Sequence, residues 1–310
     1  VTVQLAVGAA VFAGIAGPSL PLAAASLDAD SPDAEGHSEE GAFYVWREAE
    51  IDAALEGLED VDRFKRAYGV TAQGNWEGKV ILDRLGGSRD ADPAAFGEAR
   101  IRLLQARERR PRPGRDDKIL ADWNGLAIRA LAEAGAAFHD ADALRLAREA
   151  HGFVKDQMIR DGRLHHAARD GRLSGVALSS DYGAMIAGSA ALFIATLDPA
   201  FLRDATVLAE MLERWHGDGE GGHFLNASDS ADVPVRLRGD PDDAVPGATG
   251  LVIEALALLA QVSGDEAVRA RAERAARLAQ GRIGENGMAF PGMLIAFDRL
   301  RCGGELALFG

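Results

Sequence analysis

From Trp123 onward, hydrophobic and polar positions follow a pattern that repeats about every 60 residues. Each repeat has a nearly uniform apolar segment, a short polar turn, an amphipathic segment and a closing stretch that contains glycine. The pattern predicts three helical hairpins. The predicted helix pairs cover residues 123–138 with 143–160, 183–197 with 201–215, and 251–262 with 266–283.

The two helices of each predicted hairpin differ in kind. The first is apolar nearly all round, as in Leu251-Val252-Ile253, which is typical of a helix buried on every side. The second carries a charged stripe, such as Arg269 and Glu273, opposite small apolar residues. An inner ring of buried helices inside an outer ring of half-exposed helices predicts an all-α fold, an α/α toroid with short β-hairpins in its rim loops. An open stack of hairpins would make both helices amphipathic.

The first 26 residues carry no charge and are interrupted by Pro18 and Pro21. One interpretation is a first buried helix followed by a loop. The other is a secretion signal with 23–25 as the small-residue cleavage region, although the usual basic start is missing. The toroid domain itself is predicted over residues 27–310.

Charge and cysteine content narrow the function classes. The net charge of −14 over 310 residues argues against a nucleic-acid partner, which needs clustered cations, and no membrane association is predicted. We expect a cytoplasmic protein. The single cysteine, Cys302, excludes an internal disulfide and a thiolate zinc site. His165, His166 and His223 lack metal-ligand spacing and are interpreted as surface or loop histidines, so we expect no metal and no cofactor.

Polar residues gather where the predicted inner helices begin, and in a toroid these ends share one rim. Carboxylates accept hydroxyl hydrogens and aromatic rings stack on sugar C–H faces, so the rim suits a sugar-like ligand. The predicted acid/base residues are Asp117, Asp181 and Asp243. The predicted ligand-binding residues are Asp28, Asp30, Tyr44, Trp46, Lys118, Trp123, Asn124 and Tyr182. The alternative is that Asp122, Asp181 and Asp243 merely cap their helices.

Several motifs, in this order along the chain, resemble those of a known protein family. They are residues 26–31 (SLDADS), 40–46 (EGAFYVW), 116–118 (DDK), 123–125 (WNG), 180–182 (SDY), 221–224 (GGHF) and 243–246 (DAVP). The chain resembles the thioredoxin-domain-containing proteins related to spermatogenesis-associated protein 20. The resemblance implies the C-terminal (α/α)6 barrel of those proteins, which is of the six-hairpin glycosidase and N-acylglucosamine 2-epimerase type.

The chain differs from this family in three respects. The thioredoxin-like domain and the first part of the barrel have no counterpart here, and residues 247–250 read GATG where the family usually has Ser-Gly-Asn-Ser. We therefore expect a shortened barrel that binds, and isomerises or hydrolyses, a sugar-like ligand. The alternative is a non-catalytic scaffold or remnant. An incomplete ring would leave an apolar flank uncovered, which predicts a homodimer or a thioredoxin-like partner chain.

Overall fold

A computed structural model describes residues 24–27, 30–32, 36–85, 93–230, 233–284 and 286–302. The chain forms two compact units. One, here called the N-terminal unit, is Ser26–Asp116, and the other, the toroid unit, is Asp117–Gly310 together with Val1–Ala25. The predicted domain over residues 27–310 covers parts of both. Residues 1–23, on which most of the helix-or-signal prediction falls, lie outside the described residues. No helix in the described ranges combines the length and apolarity that a membrane crossing needs.

The N-terminal unit has a small core of its own. Its helices are α1 (Glu48–Ala54), α2 (Val61–Ala67) and α3 (Gly97–Arg107), the last preceded by a 3-10 turn at Pro93–Phe96. Strands β2 (Asp30–Pro32) and β3 (Ser38–Glu40) pair antiparallel, with Ser31 opposite Glu39, and β1 (Ala24–Leu27) crosses the division between the units. The largest side chains of its core cluster are Trp46, Ile51, Leu55, Phe64, Phe96 and Leu103.

The toroid unit consists mainly of consecutive helical hairpins. The pairs are α4 (Ala121–Phe138) with α5 (Ala141–Phe153), α6 (Ser179–Thr196) with α7 (Pro199–His216), and α8 (Ala248–Ser263) with α9 (Glu266–Gln280). Helix α10 (Pro291–Cys302) follows. Helix α4 packs on α6, α6 on α8 and α8 on α10, while α5, α7 and α9 each pack on their own hairpin partner. This is the predicted arrangement of an α/α toroid.

Burial separates the inner helices from the outer ones as the hydrophobic pattern predicted. Every residue of α6 from Ser179 to Leu192 is buried. Outer helix α9 instead buries Val268, Ala272, Ala275 and Ala279, which lie three or four residues apart on one face. Inner helices α6 and α8 are therefore almost surrounded, the first inner helix α4 buries eight of its 18 residues, and outer helix α9 keeps a solvent face.

Glycines allow the inner helices to approach closely near their N-terminal ends. A Cβ on Gly125 of α4 would lie 2.6 Å from the carbonyl carbon of Ala184 in α6. A Cβ on Gly183 of α6 would lie 3.1 Å from the backbone of Leu251 in α8. Neighbouring inner helices thus pack backbone to backbone where they begin, which brings the groups at their first turns together.

A small sheet lies beside the first inner helices. Strand β4 (Arg115–Leu120) leads into α4 and pairs antiparallel with β6 (Arg163–Arg169), which also pairs with β5 (Ile159–Arg160) and β7 (Arg172–Val176). The β6–β7 turn is Asp170-Gly171, and both residues have positive φ, 51° and 72°, as a type I′ hairpin requires. The helix predicted over 143–160 ends earlier, at Phe153, and continues as a π-helical turn at Val154–Met158 before β5.

Candidate functional site

The site is built around the first turn of α6. Asp181 is fully buried, and its Oδ2 accepts a hydrogen bond from the backbone N–H of Leu178 at 2.7 Å. Its Oδ1 accepts the backbone N–H of Asp122, in the first turn of α4, at 2.9 Å. One carboxylate therefore joins the N-terminal ends of two inner helices, where free N–H groups and the helix dipole favour negative charge.

His166 completes this arrangement from strand β6. Its Nδ1 lies 3.0 Å from both carboxylate oxygens of Asp181. Because a carboxylate only accepts, Nδ1 carries the hydrogen and donates it. About a third of the imidazole is exposed, 31%, whereas the Asp181 side chain has no exposure. Solvent can therefore reach the imidazole of His166, whereas the carboxylate of Asp181 is shielded from it.

Asp122 adds a second carboxylate. It is 9% exposed, and its Oδ1 accepts the backbone N–H of Trp123 at 2.8 Å. One ligand atom from each of Asp122, His166 and Asp181 lies within 4.8 Å of the other two. These three residues are here called the Asp–His cluster.

Burial and charge shift the titration of all three groups. Burial raises the pKa of Asp181 to about 6, with a further increase from Asp122 and an opposing effect from His166. The hydrogen bond to Asp181 raises the pKa of His166 above its ordinary value, against the effect of burial. Burial also raises the pKa of the Asp122 carboxyl. Near neutral pH the cluster thus combines an ionised Asp181 with a histidine whose proton is held more tightly than usual.

The geometry favours proton transfer over metal binding. Two carboxylates and an imidazole are donors that a divalent cation accepts. Both oxygens of Asp181, however, already accept a backbone N–H and share the His166 hydrogen, so a cation there would have to break the Asp–His bond. Among the described residues, Nε2 of His166 has no hydrogen-bond partner. That nitrogen is the one placed to exchange a proton with a ligand.

Several predicted site residues lie close to this cluster in the chain. Trp123 is half-buried and follows Asp122. Lys118 is exposed on β4, and its charge opposes the rise in the pKa of His166. Asn124 is fully buried and its amide donates to the Leu120 carbonyl at 2.8 Å. Tyr182 is also buried, and its hydroxyl accepts the backbone N–H of Leu164 at 3.3 Å.

The other two predicted acid/base residues have different surroundings. Asp117 is exposed on β4. Asp243 is exposed ahead of α8, and its neighbour Asp242 anchors the loop by accepting the N–H groups of Gly247 at 2.8 Å and Gly292 at 2.6 Å. Their predicted acid/base roles, like that of Asp181, stay predictions.

The remaining predicted ligand-binding residues belong to the N-terminal unit. Tyr44 is exposed, and Trp46 is buried with the Arg110 guanidinium 4.0 Å from its ring centroid. Asp30 is exposed and accepts the Ser38 hydroxyl at 3.3 Å. Asp28 lies outside the described residues. Their predicted part in ligand binding stays a prediction.

Sequence reasoning missed Asp122 and His166 as site residues. Asp122 was considered only as an N-cap, but the cap position of α4 is Leu120, and Asp122 lies inside the first turn. His166 was interpreted as a loop histidine, whereas it lies on β6. The Asp170-Gly171 pair between two short segments is the signal that would have placed His166 on a hairpin strand.

Comparison with known proteins gives relatives but no matching family model. Spermatogenesis-associated protein 20 of Homo sapiens is 29% identical over 265 residues, which is 72% of this chain and 34% of the human protein. The Mus musculus protein of the same name shows the same identity and coverage. An uncharacterised Caenorhabditis elegans protein is 27% identical over 316 residues, covering 90% of this chain and 43% of that protein. The chain thus spans between 34% and 43% of the length of these relatives.

Solved structures that this chain resembles have low sequence identity to it. A glycoside hydrolase family 76 mannosidase from Bacteroides thetaiotaomicron is 11% identical with a TM-score of 0.48, covering 97% of this chain and 81% of that one. The cellobiose 2-epimerase from Spirochaeta thermophila is 16% identical with a TM-score of 0.43, covering 52% and 43%. The resemblance inferred from the motifs is confirmed by the sequence relatives: this chain is similar to spermatogenesis-associated protein 20 over 72% of its length, and its toroid unit is built from the α/α hairpins that the pattern predicted.

Proposed function

We propose that the Asp–His cluster is an acid/base site that moves protons on a sugar-like ligand. The observation that carries this proposal is the placement of His166 Nδ1 at 3.0 Å from both oxygens of a fully buried carboxylate. Such a carboxylate fixes the imidazole tautomer and stabilises the imidazolium that forms when Nε2 takes a proton. The ligand class follows from the groups near His166, because the Asp122 carboxyl and the Lys118 ammonium group, whose charges act on His166, pair with hydroxyls, and Trp123, the residue after Asp122, offers an aromatic surface.

The spacing of the cluster favours isomerisation over glycoside hydrolysis. Hydrolysis by paired carboxylates uses carboxyl groups about 5–10 Å apart on opposite sides of the glycosidic bond. Here Asp122, His166 and Asp181 offer ligand atoms within 4.8 Å of one another, and Asp181 is closed off by burial. With Asp181 buried, His166 and Asp122 are the two groups that can contact a ligand, and both would lie on the same side of it. Transfer of a proton between neighbouring carbons on one face needs no second set of groups.

The proposed reaction converts an aldose and a ketose into each other. Nε2 of His166 takes the proton from C2, while the protonated Asp122 carboxyl gives a proton to O1; burial raises the pKa of this carboxyl, which is the direction that such a role needs. The product is an enediol. Return of the His166 proton to C1 and transfer of the O2 hydroxyl proton to Asp122 give the ketose and restore both groups. Asp181 keeps its charge and orients the imidazole throughout.

Deuterium exchange tests the proposal directly. The full chain is incubated with a panel of aldoses and ketoses in D2O, and NMR follows deuterium at C1 and C2 and the appearance of the isomer. We expect exchange with at least one sugar, a loss of about 100-fold or more in His166→Gln, and a large loss in Asp181→Asn. His165→Gln is the matched control, because His165 is the neighbouring residue on β6 and its Nδ1 contacts the Met158 carbonyl instead, at 3.3 Å.

The pH profile gives a second readout. Proton abstraction requires neutral His166 and proton donation requires protonated Asp122, so the rate should show a bell-shaped pH profile, and the raised pKa values of both residues should move that profile to higher pH. Exchange in the His166→Gln variant equal to that of the unchanged chain would disprove the proposal. So would a panel in which the unchanged chain exchanges no sugar.

A further inference from the structure

The N-terminal unit contains a cavity of about 410 Å³, a volume within the usual range for small-molecule sites. Trp46 and two prolines form part of its wall. Its lining is otherwise dominated by charged side chains, four cationic and two anionic. They are Arg47, Lys79, Arg109, Arg110, Glu39 and Glu50.

The two carboxylates neutralise only two of the four cations. Lys79 forms a close ion pair with Glu39. Arg110 pairs with Glu50, Nη2 to Oε2 at 3.4 Å. Arg47 and Arg109 are both exposed, and neither guanidinium forms an ion pair with any carboxylate in the described ranges. The cavity therefore keeps two unpaired arginines in a chain whose net charge is −14.

The wall of the cavity is fixed by its own contacts. The Arg110 guanidinium lies over the Trp46 ring at 4.0 Å and donates to the carbonyls of Val45 at 2.6 Å and Phe43 at 3.2 Å. Trp46 exchanges two backbone hydrogen bonds with Val80, next to Lys79. Arg110 is thus held as a structural part of the wall, and the two unpaired arginines are the groups available to a ligand.

We propose that this cavity binds a small organic anion, whose phosphate or carboxylate group is held by Arg47 and Arg109. Guanidinium groups present parallel N–H donors that match the oxygens of both head groups. The volume exceeds what a bare inorganic anion would fill, which favours an organic part of about the size of a sugar or a small polycarboxylate.

Isothermal titration calorimetry on the full chain at low ionic strength tests the proposal. The probes are glucose 6-phosphate, citrate, inorganic phosphate and uncharged glucose. We expect glucose 6-phosphate or citrate to bind and glucose not to bind. Arg47→Gln and Arg109→Gln should each weaken binding about tenfold, and the double variant about 100-fold, since tenfold corresponds to about 1.4 kcal/mol and each lost charge-assisted contact is of that order.

Two further variants keep the test decisive. Arg66→Gln removes an exposed arginine of the same unit that does not line the cavity, and it should leave affinity within about twofold. The double lysine variant at 47 and 109 keeps the charge but loses the paired donors, so it should bind with intermediate affinity. The comparison of glucose 6-phosphate with citrate identifies the head group. Failure of both anions to bind the unchanged chain, or equal binding by the double glutamine variant, would overturn the proposal.

Discussion

Replacing Asp181 with asparagine removes the charge on which three N–H donors converge. In the protein the two carboxylate oxygens accept the backbone N–H groups of Asp122 and Leu178 and the Nδ1–H of His166. Asparagine keeps one oxygen and gains an NH2 group that can only donate. Whichever way the amide turns, one buried backbone N–H then faces another donor.

The magnitude follows from counting these bonds. A hydrogen bond to a charged acceptor contributes about 1.5–3 kcal/mol, and a buried donor left unpaired costs about 1–3 kcal/mol. The remaining oxygen keeps one backbone bond in weaker, neutral form. We therefore expect Asp181→Asn to lower the free energy of unfolding by about 2–4 kcal/mol, a large part of a typical total of about 5–15 kcal/mol.

Urea unfolding followed by tryptophan fluorescence measures this loss, with Asp122→Asn as the matched control. Asp122 accepts one backbone N–H, from Trp123 at 2.8 Å, and asparagine can keep that bond. The control should therefore cost less than about 1 kcal/mol. Equal losses in the two variants, or a loss under about 0.5 kcal/mol in Asp181→Asn, would refute the reasoning.

The pH dependence of the same experiment has a definite sign. Asp181 raises the folded-state pKa of His166 above its unfolded value near 6.5. A raised histidine pKa adds stability that is fully present below the unfolded pKa and is lost as pH rises through the folded pKa. The stability of the unchanged chain should thus fall from about pH 6.5 upward, and Asp181→Asn should lack that contribution. NMR of the imidazole should show the pKa of His166 falling in the variant.

Three further predictions concern the packing and charge of the toroid unit. In thermal unfolding, Gly125→Ala should destabilise the fold by about 1–3 kcal/mol, because the new Cβ would lie 2.6 Å from the α6 backbone. Gly152→Ala is the control: open space surrounds this position, so the substitution should be neutral or stabilising. Glu254→Gln should lower the free energy of urea unfolding by about 3 kcal/mol, because it removes the nearly buried ion-pair partner of Arg129. Glu273 is exposed, so the control Glu273→Gln should change that free energy by no more than about 0.5 kcal/mol. Burial lowers the pKa of His216 to about 4, so NMR should find this imidazole neutral at pH 5. The stability that the neutral histidine contributes should be lost as pH falls from about 6.5 toward 4. A titration midpoint of His216 near 6.5 would contradict this prediction.

The helical part of the fold could be predicted from sequence because its signal is local. Inner helix α8 is apolar nearly all round, with Glu254 as its one charged residue, and outer helix α9 is apolar on one face; their burial follows the same division. The predicted helix ends were less accurate, because tertiary contacts decide where a helix stops. The segment after Phe153 has a helical pattern, yet it unwinds through a π-helical turn into strand β5.

The site was harder to predict, because its key contacts join distant parts of the chain. Asp181 and His166 are 15 residues apart, and Asp181 and Asp122 are 59 apart. Neither spacing corresponds to one face of a helix or strand, so the hydrophobic periodicity of the sequence does not indicate either contact. Asp181 could be selected from its place at the start of an inner helix, but only the packing of the helix ends shows that its carboxylate holds a histidine.

The sequence repeat explains why an aspartate near the start of each inner helix was predicted to be an acid/base residue. Acidic residues precede or begin each inner helix, but their environments depend on the closing segment that reaches them. The first closing segment forms the β6–β7 hairpin and brings His166 to Asp181. The second also carries a histidine, His223, but that side chain faces Glu213 of outer helix α7 at 3.3 Å. At the third inner helix, Asp242 is occupied by backbone N–H groups of its own loop and of α10. A repeat therefore predicts where a carboxylate lies, whereas the segment that closes each repeat decides which groups that carboxylate meets.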